Sequence, residues 1–88
     1  MNLDTAAIVA AIQAQVIALA DQMGIDASDL GADDLIPATG YIDSAGLLEL
    51  IAWFEKTYAF KVPADDLTID HLGTPASMAA YVRRAKGL

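Results

Sequence analysis

The stretch IDSAGLLELIAWFEKTY, residues 42–58, decides the fold of this 88-residue chain. Its apolar residues recur at three- and four-residue spacing, which is the pattern of a helix with one buried face. Such a helix is stable only when that face packs against other elements. The stretch therefore predicts a core helix, whose buried stripe consists of Leu47, Leu50, Ile51, Phe54 and Tyr58.

The first turn of this helix has two candidate N-caps. With Ser44 as the N-cap, the hydrophobic-staple positions on either side of it hold Asp43 and Leu48, which is a poor pair. With Asp43 as the N-cap, they hold Ile42 and Leu47, and both are apolar. We therefore predict that Asp43 caps the helix and that Ser44 is its first residue, with a hydroxyl that capping does not need.

A second amphipathic helix is predicted near the amino terminus. Asp4 is a good N-cap and Gly24 is a good C-terminal stop. Between them, apolar residues again recur at helical spacing. The predicted buried stripe consists of Ile8, Ile12, Val16, Leu19 and Met23.

A long loop is predicted between these two helices. Residues 24–43 show no sustained period and are rich in Asp, Gly, Ala and Pro. A loop of this length in so small a domain is uncommon and tends to be functional. We expect Leu30, Leu35 and Ile36 to hold it against the core, with a short helical turn at residues 32–36.

The carboxyl-terminal part predicts a connector, a short helix and a last helix. Residues 59–67 contain a proline and are expected to pack Phe60 and Val62 inward. Residues 68–73 predict one helical turn that is capped by Thr68 and closed by Gly73. The last helix opens with Thr74 as N-cap and a proline at the first helical position, two residues that favour a helix start. Its predicted stripe consists of Met78, Tyr81, Val82 and Ala85.

Together these elements predict an all-α fold. It is a small four-helix bundle, with three main helices, one short helix and a long loop between helices 1 and 2. A chain of 88 residues has room for one small core, so residues 1–88 are predicted to be a single domain. The alanine-rich composition suits closely packed helices and disfavours a deep substrate pocket.

Charge is distributed unevenly along the chain. Residues 1–55 contain nine acidic residues and no Lys or Arg, and all five basic residues lie from Lys56 onward. The resulting negative field repels nucleic acid and anionic lipid and attracts basic protein surfaces. The first residues lack the positive charge of a secretory signal, and the apolar run at residues 6–20 is shorter than a membrane span. We therefore expect a cytoplasmic monomer that binds neither nucleic acid nor membrane.

Other chemistries are poorly supported by the sequence. Ser44 and His71 could join an aspartate in a hydrolytic triad, but no nucleophile elbow or oxyanion loop accompanies them. His71 is better explained as a polar residue near the surface of a short helix. The stretch DASDLGADDLIP, residues 26–37, begins like a calcium-binding loop but ends in Pro37 where a glutamate is needed. Thiolate zinc sites are excluded because the chain has no cysteine. We predict no catalytic and no metal-binding residue.

The stretch GYIDSAGLLELIAWFEKTYAFKVPADDL, together with the later GTPASMAAYV, resembles the acyl carrier protein family of phosphopantetheine-dependent carriers, which includes peptidyl and aminoacyl carriers. The similarity covers nearly the whole chain. It implies that a phosphopantetheinyl transferase attaches 4′-phosphopantetheine to Ser44 through a phosphodiester, and that the thiol of this arm carries an acyl group as a thioester. It also implies that Asp43 holds the helix start and helps to bind the transferase's magnesium ion. The resemblance implies no catalysis by the chain itself.

The resemblance also implies a surface for partner enzymes on the helix that follows Ser44. In the family, this helix contacts basic patches of acyl- or amino-acid-activating ligases and synthases. Gly46 stands where many fatty-acid carriers have an acid, and Lys56 reverses a usually acidic position. These departures argue against fatty-acid synthase enzymes as partners. The stretch DSAGLLEL, residues 43–50, is more similar to stand-alone carriers that are paired with adenylating ligases, including aminoacyl carriers. The residues assigned to the partner surface are Ala45, Leu48, Glu49, Ala52, Trp53 and Glu55.

Two functions of different class follow from these observations. The first is an acyl or aminoacyl carrier that is modified on Ser44. The alternative is an unmodified acidic helical module that binds a basic partner through the face containing Leu48 and Trp53. The two differ at Ser44, because Ser44→Ala abolishes a carrier's function and leaves the module's binding nearly unchanged.

Overall fold

The structure is a computed structural model that describes residues 2–88, and the regular elements in this range are all helical. The long helices α1 and α3 are joined by a loop that contains the one-turn helix α2, and α3 is followed by a 3₁₀ turn, a short helix α4 and a last helix α5. The all-α bundle with three main helices is confirmed. The bounds are α1 Thr5–Gln22, α2 Ile36–Thr39, α3 Ser44–Tyr58, the 3₁₀ turn Ala64–Asp66, α4 Ile69–Leu72 and α5 Pro75–Ala85.

The core lies where α1 packs against α3 and α5. Phe54 of α3 is its largest fully buried side chain, and its ring meets those of Tyr58 and Phe60 edge-to-face at centroid distances of 5.6 and 5.2 Å. Aromatic pairs prefer this arrangement. Large fully buried side chains of every main helix fill the space around it: Ile8, Ile12, Val16, Leu50, Met78 and Val82.

Helix α1 follows the predicted pattern except at its last residue. Asp4 is the N-cap residue, although its side chain makes no capping hydrogen bond. The predicted burial of Met23 is wrong, because this side chain is 51% exposed. The helix ends at Gln22, and Gly24 at φ +74° then turns the chain, so that the stripe is not continued. A glycine suits this left-handed position because it has no Cβ.

The long loop is attached to the core at defined points. Leu30 is buried, as predicted, and its carbonyl accepts a hydrogen bond of 2.9 Å from the Gln13 amide of α1. Ile36 is buried and its N–H donates to the Gly73 carbonyl at 2.8 Å. The predicted turn at residues 32–36 is displaced, because α2 begins only at Ile36. Leu35 is 45% exposed, contrary to prediction, since it precedes α2 and Ile36 takes the core position.

The last helix begins as the sequence predicts. Thr74 and Ser77 form a reciprocal capping box, with two N–H···O bonds of 3.0 Å. Thr68 caps α4 in the predicted manner by accepting from the His71 N–H. The predicted burial of Ala85 is wrong, because the last turn of α5 extends beyond the core and residues 84–88 are all exposed. Ala79 is buried in its place.

The connector after α3 is fixed by Glu55. Its backbone carbonyl accepts from the Phe60 N–H at 3.1 Å, and its carboxylate accepts from the Val62 N–H at 2.7 Å. Ala59 between them has φ +54°. Val62 is buried and Phe60 packs against the core, as predicted.

Helix α1 is the single helix within residues 2–88 that is long and apolar enough to cross a membrane, a test that the core helix of a water-soluble bundle also passes. Its buried residues face α3 and α5, which gives its apolar composition a structural reason. The absence of a membrane partner stays a prediction.

Candidate functional site

Asp43 caps α3, as the staple comparison predicts. Its backbone is extended, at φ −90° and ψ −172°, and its carboxylate accepts a hydrogen bond of 2.8 Å from the Gly46 N–H. Its carbonyl accepts the first intrahelical bond, from the Leu47 N–H at 2.8 Å. Since Asp43 performs both tasks of an N-cap, Ser44 is left as the first helical residue.

Ser44 is exposed, and none of the side-chain hydrogen bonds within residues 2–88 uses its hydroxyl. Its position is also electrostatically special. The first N–H groups of a helix lack intrahelical partners, and the aligned peptide dipoles place a partial positive charge there. A phosphate ester on Ser44 would therefore be stabilised by these N–H groups and by the positive end of the helix dipole.

An open hollow of about 280 Å³ lies next to Ser44. It shares Pro37 and Leu47 with an apolar groove of about 120 Å³ that runs between α2, α3 and α4. Ser44 itself lines the hollow and not the groove. The groove is also lined by Leu67 and Ile69, which are 47% and 61% exposed.

Sequence reasoning did not find the groove. One wall is formed by Leu47 and Ile51 of α3, but the others come from the long loop, the connector and α4, none of which has a sustained hydrophobic period. The one available signal was the pair of apolar residues on either side of Thr68, and an apolar residue in a connector is as consistent with burial as with exposure.

Four of the six predicted partner residues form one exposed strip on α3. They follow the i, i+3, i+4, i+7 spacing of a single helix face. Leu48 is 70% exposed, the largest such value among the large hydrophobic residues of the described chain. The strip, called the α3 strip below, consists of Ala45, Leu48, Glu49 and Ala52.

Trp53 and Glu55 are engaged within the domain instead. The Trp53 ring is half-buried and meets Tyr58 at a centroid distance of 6.2 Å and an interplanar angle of 83°. The Glu55 carboxylate is occupied by the Val62 N–H. These contacts give Trp53 and Glu55 a structural role within the domain. Their binding to partner enzymes stays a prediction.

Gly46 has an internal reason to be glycine. A Cβ at this position would lie 3.0 Å from the Cβ of Ile42 and 3.4 Å from the Asp43 carboxylate oxygen that caps the helix. Any larger residue must therefore displace the cap or the staple.

Several polar residues outside this site form hydrogen bonds with one another. His71 lies half-buried on α4, with Nδ1 2.9 Å from the Thr68 hydroxyl, as expected for a structural residue of a short helix. In the long loop, hydrogen bonds from Ser28 hold the pKa of Asp26 below its usual value. Tyr41 donates to the Asp29 carboxylate, which raises the pKa of Tyr41. Within residues 2–88 no group of three or more His, Cys, Asp or Glu is placed to hold a metal ion.

Comparison with known proteins gives one match. A family model described as the phosphopantetheine attachment site matches residues 16–82, a range that contains all of the long loop and α3. No curated protein and no solved structure gives a significant match to the chain.

Proposed function

The chain belongs to the phosphopantetheine attachment-site family, that of the acyl carrier proteins, and we propose that it is an acyl or aminoacyl carrier whose attachment residue is Ser44. The family implies 4′-phosphopantetheine as the covalent cofactor. The observation that carries the proposal for Ser44 is its free, exposed hydroxyl at the first position of α3.

The surroundings of Ser44 fit this group. The attached phosphate is an anion, and the start of a 15-residue helix offers it unpaired N–H groups and a positive dipole end. The open hollow beside Ser44 leaves room for the arm to leave the surface. When bound, the group supplies a terminal thiol that can hold a carboxylic acid as a thioester.

Asp43 has a double role in this proposal. Through the bond to the Gly46 N–H it fixes the first turn of α3, and so the direction of the Ser44 side chain. Its carboxylate is also exposed beside Ser44, where it can contribute a ligand to the magnesium ion that a phosphopantetheinyl transferase uses.

Carrier domains of this family are typically non-catalytic, and we propose the same for this chain. The hydrolytic alternative gains no support from His71, since its ring contacts Thr68 and Tyr81. The chain would instead be a substrate of the transferase and of the enzymes that load and unload it. The α3 strip, with its exposed acid Glu49, suits basic docking surfaces on those enzymes.

The cargo is proposed to be small, with an amino acid favoured over a long fatty acid. The departures at Gly46 and Lys56 favour partners other than fatty-acid synthases. The core also has little space to offer a long chain, because large side chains of α1, α3 and α5 fill it. A cytoplasmic location and a monomeric state belong to the same proposal.

The decisive experiment is intact-protein mass spectrometry after incubation with coenzyme A, magnesium and a broad-specificity phosphopantetheinyl transferase. The matched pair of variants is Ser44→Ala and Ser28→Ala, because Ser28 is an exposed serine of the long loop. We expect one added phosphopantetheine on the wild type and on Ser28→Ala, and none on Ser44→Ala.

Addition to Ser44→Ala would place the attachment elsewhere. No addition to the wild type with several transferases would favour the unmodified acidic interaction module. The amino-acid preference is tested separately, by offering the loaded protein and its adenylating ligase a panel of amino and fatty acids. Loading with fatty acids alone would contradict that preference.

A further inference from the structure

A second hollow at the start of α3 is lined by Asp43 and Ala45, the two residues that flank Ser44. It has a volume of about 190 Å³ and lies between the end of α1 and the first turns of α3. Asp43 lines both hollows, and Ala45, which follows Ser44, lines this one. Whatever binds here is therefore adjacent to the proposed attachment residue. The full lining consists of Leu19, Gln22, Met23, Asp43, Ala45, Gly46 and Glu49.

The lining combines an apolar floor with an acidic rim. Leu19 is buried at the base, and Ala45 and Gly46 add small surfaces that let another side chain approach closely. Asp43 and Glu49 are both exposed and carry the negative charge. No lining residue is basic, and no Lys or Arg occurs before Lys56, so the charge at this hollow has no neutralising cation among residues 1–55.

Met23 adds an exposed, flexible apolar side chain to the hollow, and packing of the domain does not explain its exposure. It is 51% exposed at the C-cap of α1, beside the exposed polar side chain of Gln22. A methionine side chain is flexible and polarisable, which allows it to cover the stem of another side chain. An arginine has the complementary build, with an aliphatic stem and a planar, weakly hydrated guanidinium that pairs well with carboxylates.

We propose that this hollow seats an arginine side chain of the enzymes that act on Ser44, so that the docking site spans α1 and α3. This inference rests on the proposed carrier function. It adds the end of α1, through Met23 and Gln22, to the α3 strip. The arginine stem lies along Met23 and Leu19, and its guanidinium faces Asp43 and Glu49.

The test uses a phosphopantetheinyl transferase that loads the wild type. Loading kinetics are measured for Met23→Ser and for the matched control Leu88→Ser, whose leucine is 59% exposed at the other end of the chain. We expect kcat/KM to fall about 5- to 10-fold for Met23→Ser, as for a contact of moderate energy in an interface, and to stay within about 2-fold for Leu88→Ser. Circular dichroism checks that both variants are folded.

Two charge-reversal variants test the acidic rim separately from Met23. Glu49→Lys and Asp70→Lys change the net charge equally, but Asp70 is an exposed residue of α4 that does not line this hollow. We expect Glu49→Lys to lower kcat/KM at least 10-fold more than Asp70→Lys does. The double variant of Met23→Ser with Glu49→Lys should lose less than the product of the single losses, because one arginine contacts both residues.

Binding without reaction gives an independent readout. The unreactive Ser44→Ala protein, labelled for NMR, is titrated with the transferase. We expect the Met23 methyl and Gln22 side-chain amide signals to shift together with those of the α3 strip. Shifts confined to α3, with unchanged kinetics for Met23→Ser, would overturn the inference while leaving the carrier function intact.

Two other results would also be decisive. If none of several transferases loaded the wild type, that result would contradict the carrier function itself. A dimer of the free protein that Met23→Ser dissolves, measured by light scattering, would show that the hollow binds a second copy of this chain and would overturn the arginine assignment.

Discussion

Helices α3 and α5 each have a serine in a capped first turn, and the two serines are used differently. In α5 the Ser77 hydroxyl accepts from the Thr74 N–H and donates to the Thr74 carbonyl, both at 3.0 Å, so that the capping box occupies it. In α3 the cap is Asp43, which bonds Gly46 and leaves Ser44 exposed and unused. A serine near a helix start is thus available for chemistry only when another residue performs the capping.

The difference extends along the two helices. On α5, Tyr81 donates to the Asp66 carboxylate at 2.6 Å, and Arg83 donates to the Leu3 carbonyl. The polar groups of α5 therefore tie neighbouring segments together. On α3, the strip that includes Leu48 and Glu49 faces outward. We interpret α5 as a structural helix and α3 as the helix that carries the function.

The largest expected effect concerns the two serines. Ser44→Ala should abolish phosphopantetheine loading and change the free energy of unfolding by no more than about 0.5 kcal/mol, because its hydroxyl makes no internal bond. Ser77→Ala should load normally and lose about 1 kcal/mol of stability, because it breaks a capping box. Mass spectrometry and urea unfolding of both variants measure these quantities. Loss of loading in Ser77→Ala would contradict the distinction between Ser44 as the attachment residue and Ser77 as a capping residue.

The next largest effects are expected for substitutions of the two N-cap residues, Asp43 and Thr74. Asp43→Ala and Thr74→Ala each remove a side-chain acceptor at a helix start, and each should cost about 1 kcal/mol of unfolding free energy. Their effects on loading should differ. Asp43→Ala should lower the loading rate at least about tenfold, because Ser44 loses its fixed geometry, whereas Thr74→Ala should not. Equal loading rates in these two variants would contradict the role of Asp43.

A smaller effect concerns Tyr81 and depends on pH. The hydrogen bond to Asp66, aided by burial, raises the pKa of Tyr81 to about 12. The folded state thus holds this proton more tightly than the unfolded state, where the pKa is about 10. The stabilisation is fully present below pH 10 and is lost as the pH rises toward 12.

Tyr81→Phe should therefore cost about 1 kcal/mol at neutral pH. The difference in stability from the wild type should shrink between pH 10 and 12. Chemical unfolding at several pH values measures this difference, and a constant difference across that range would show that the phenol proton is not involved. Loading of Ser44 should be unaffected, since Tyr81 belongs to the structural helix.

The smallest expected effect lies at the ends of the helices. The turn after α1 uses Gly24 at φ +74°, whereas the turn after α3 uses Ala59 at φ +54°, where a Cβ is unfavourable. Ala59→Gly should relieve this strain and raise the free energy of unfolding by about 0.5 kcal/mol, after the larger chain entropy of glycine is subtracted. Thermal unfolding measures the gain. A lower midpoint temperature in the variant would show that the turn tolerates the alanine.

The sequence predicted local features well. The caps at Asp43, Thr68 and Thr74 were found because a cap is an interaction between residues two or three positions apart. The freedom of Ser44 followed from the same local comparison. Errors occurred at Met23 and Ala85, where the hydrophobic period was extended to the end of a helix that no longer faces the core.

The sequence by itself determined the helical class, the three main helices and the residue with a free hydroxyl, because periodicity and capping act over a few residues. Only the tertiary structure decided that Glu55 is used by the connector, that one hollow is lined by Ser44 and that a second is lined by its neighbours Asp43 and Ala45. These features join segments that lie far apart in the chain. Their contacts depend on how helices and loops pack together, which no local pattern of residues encodes.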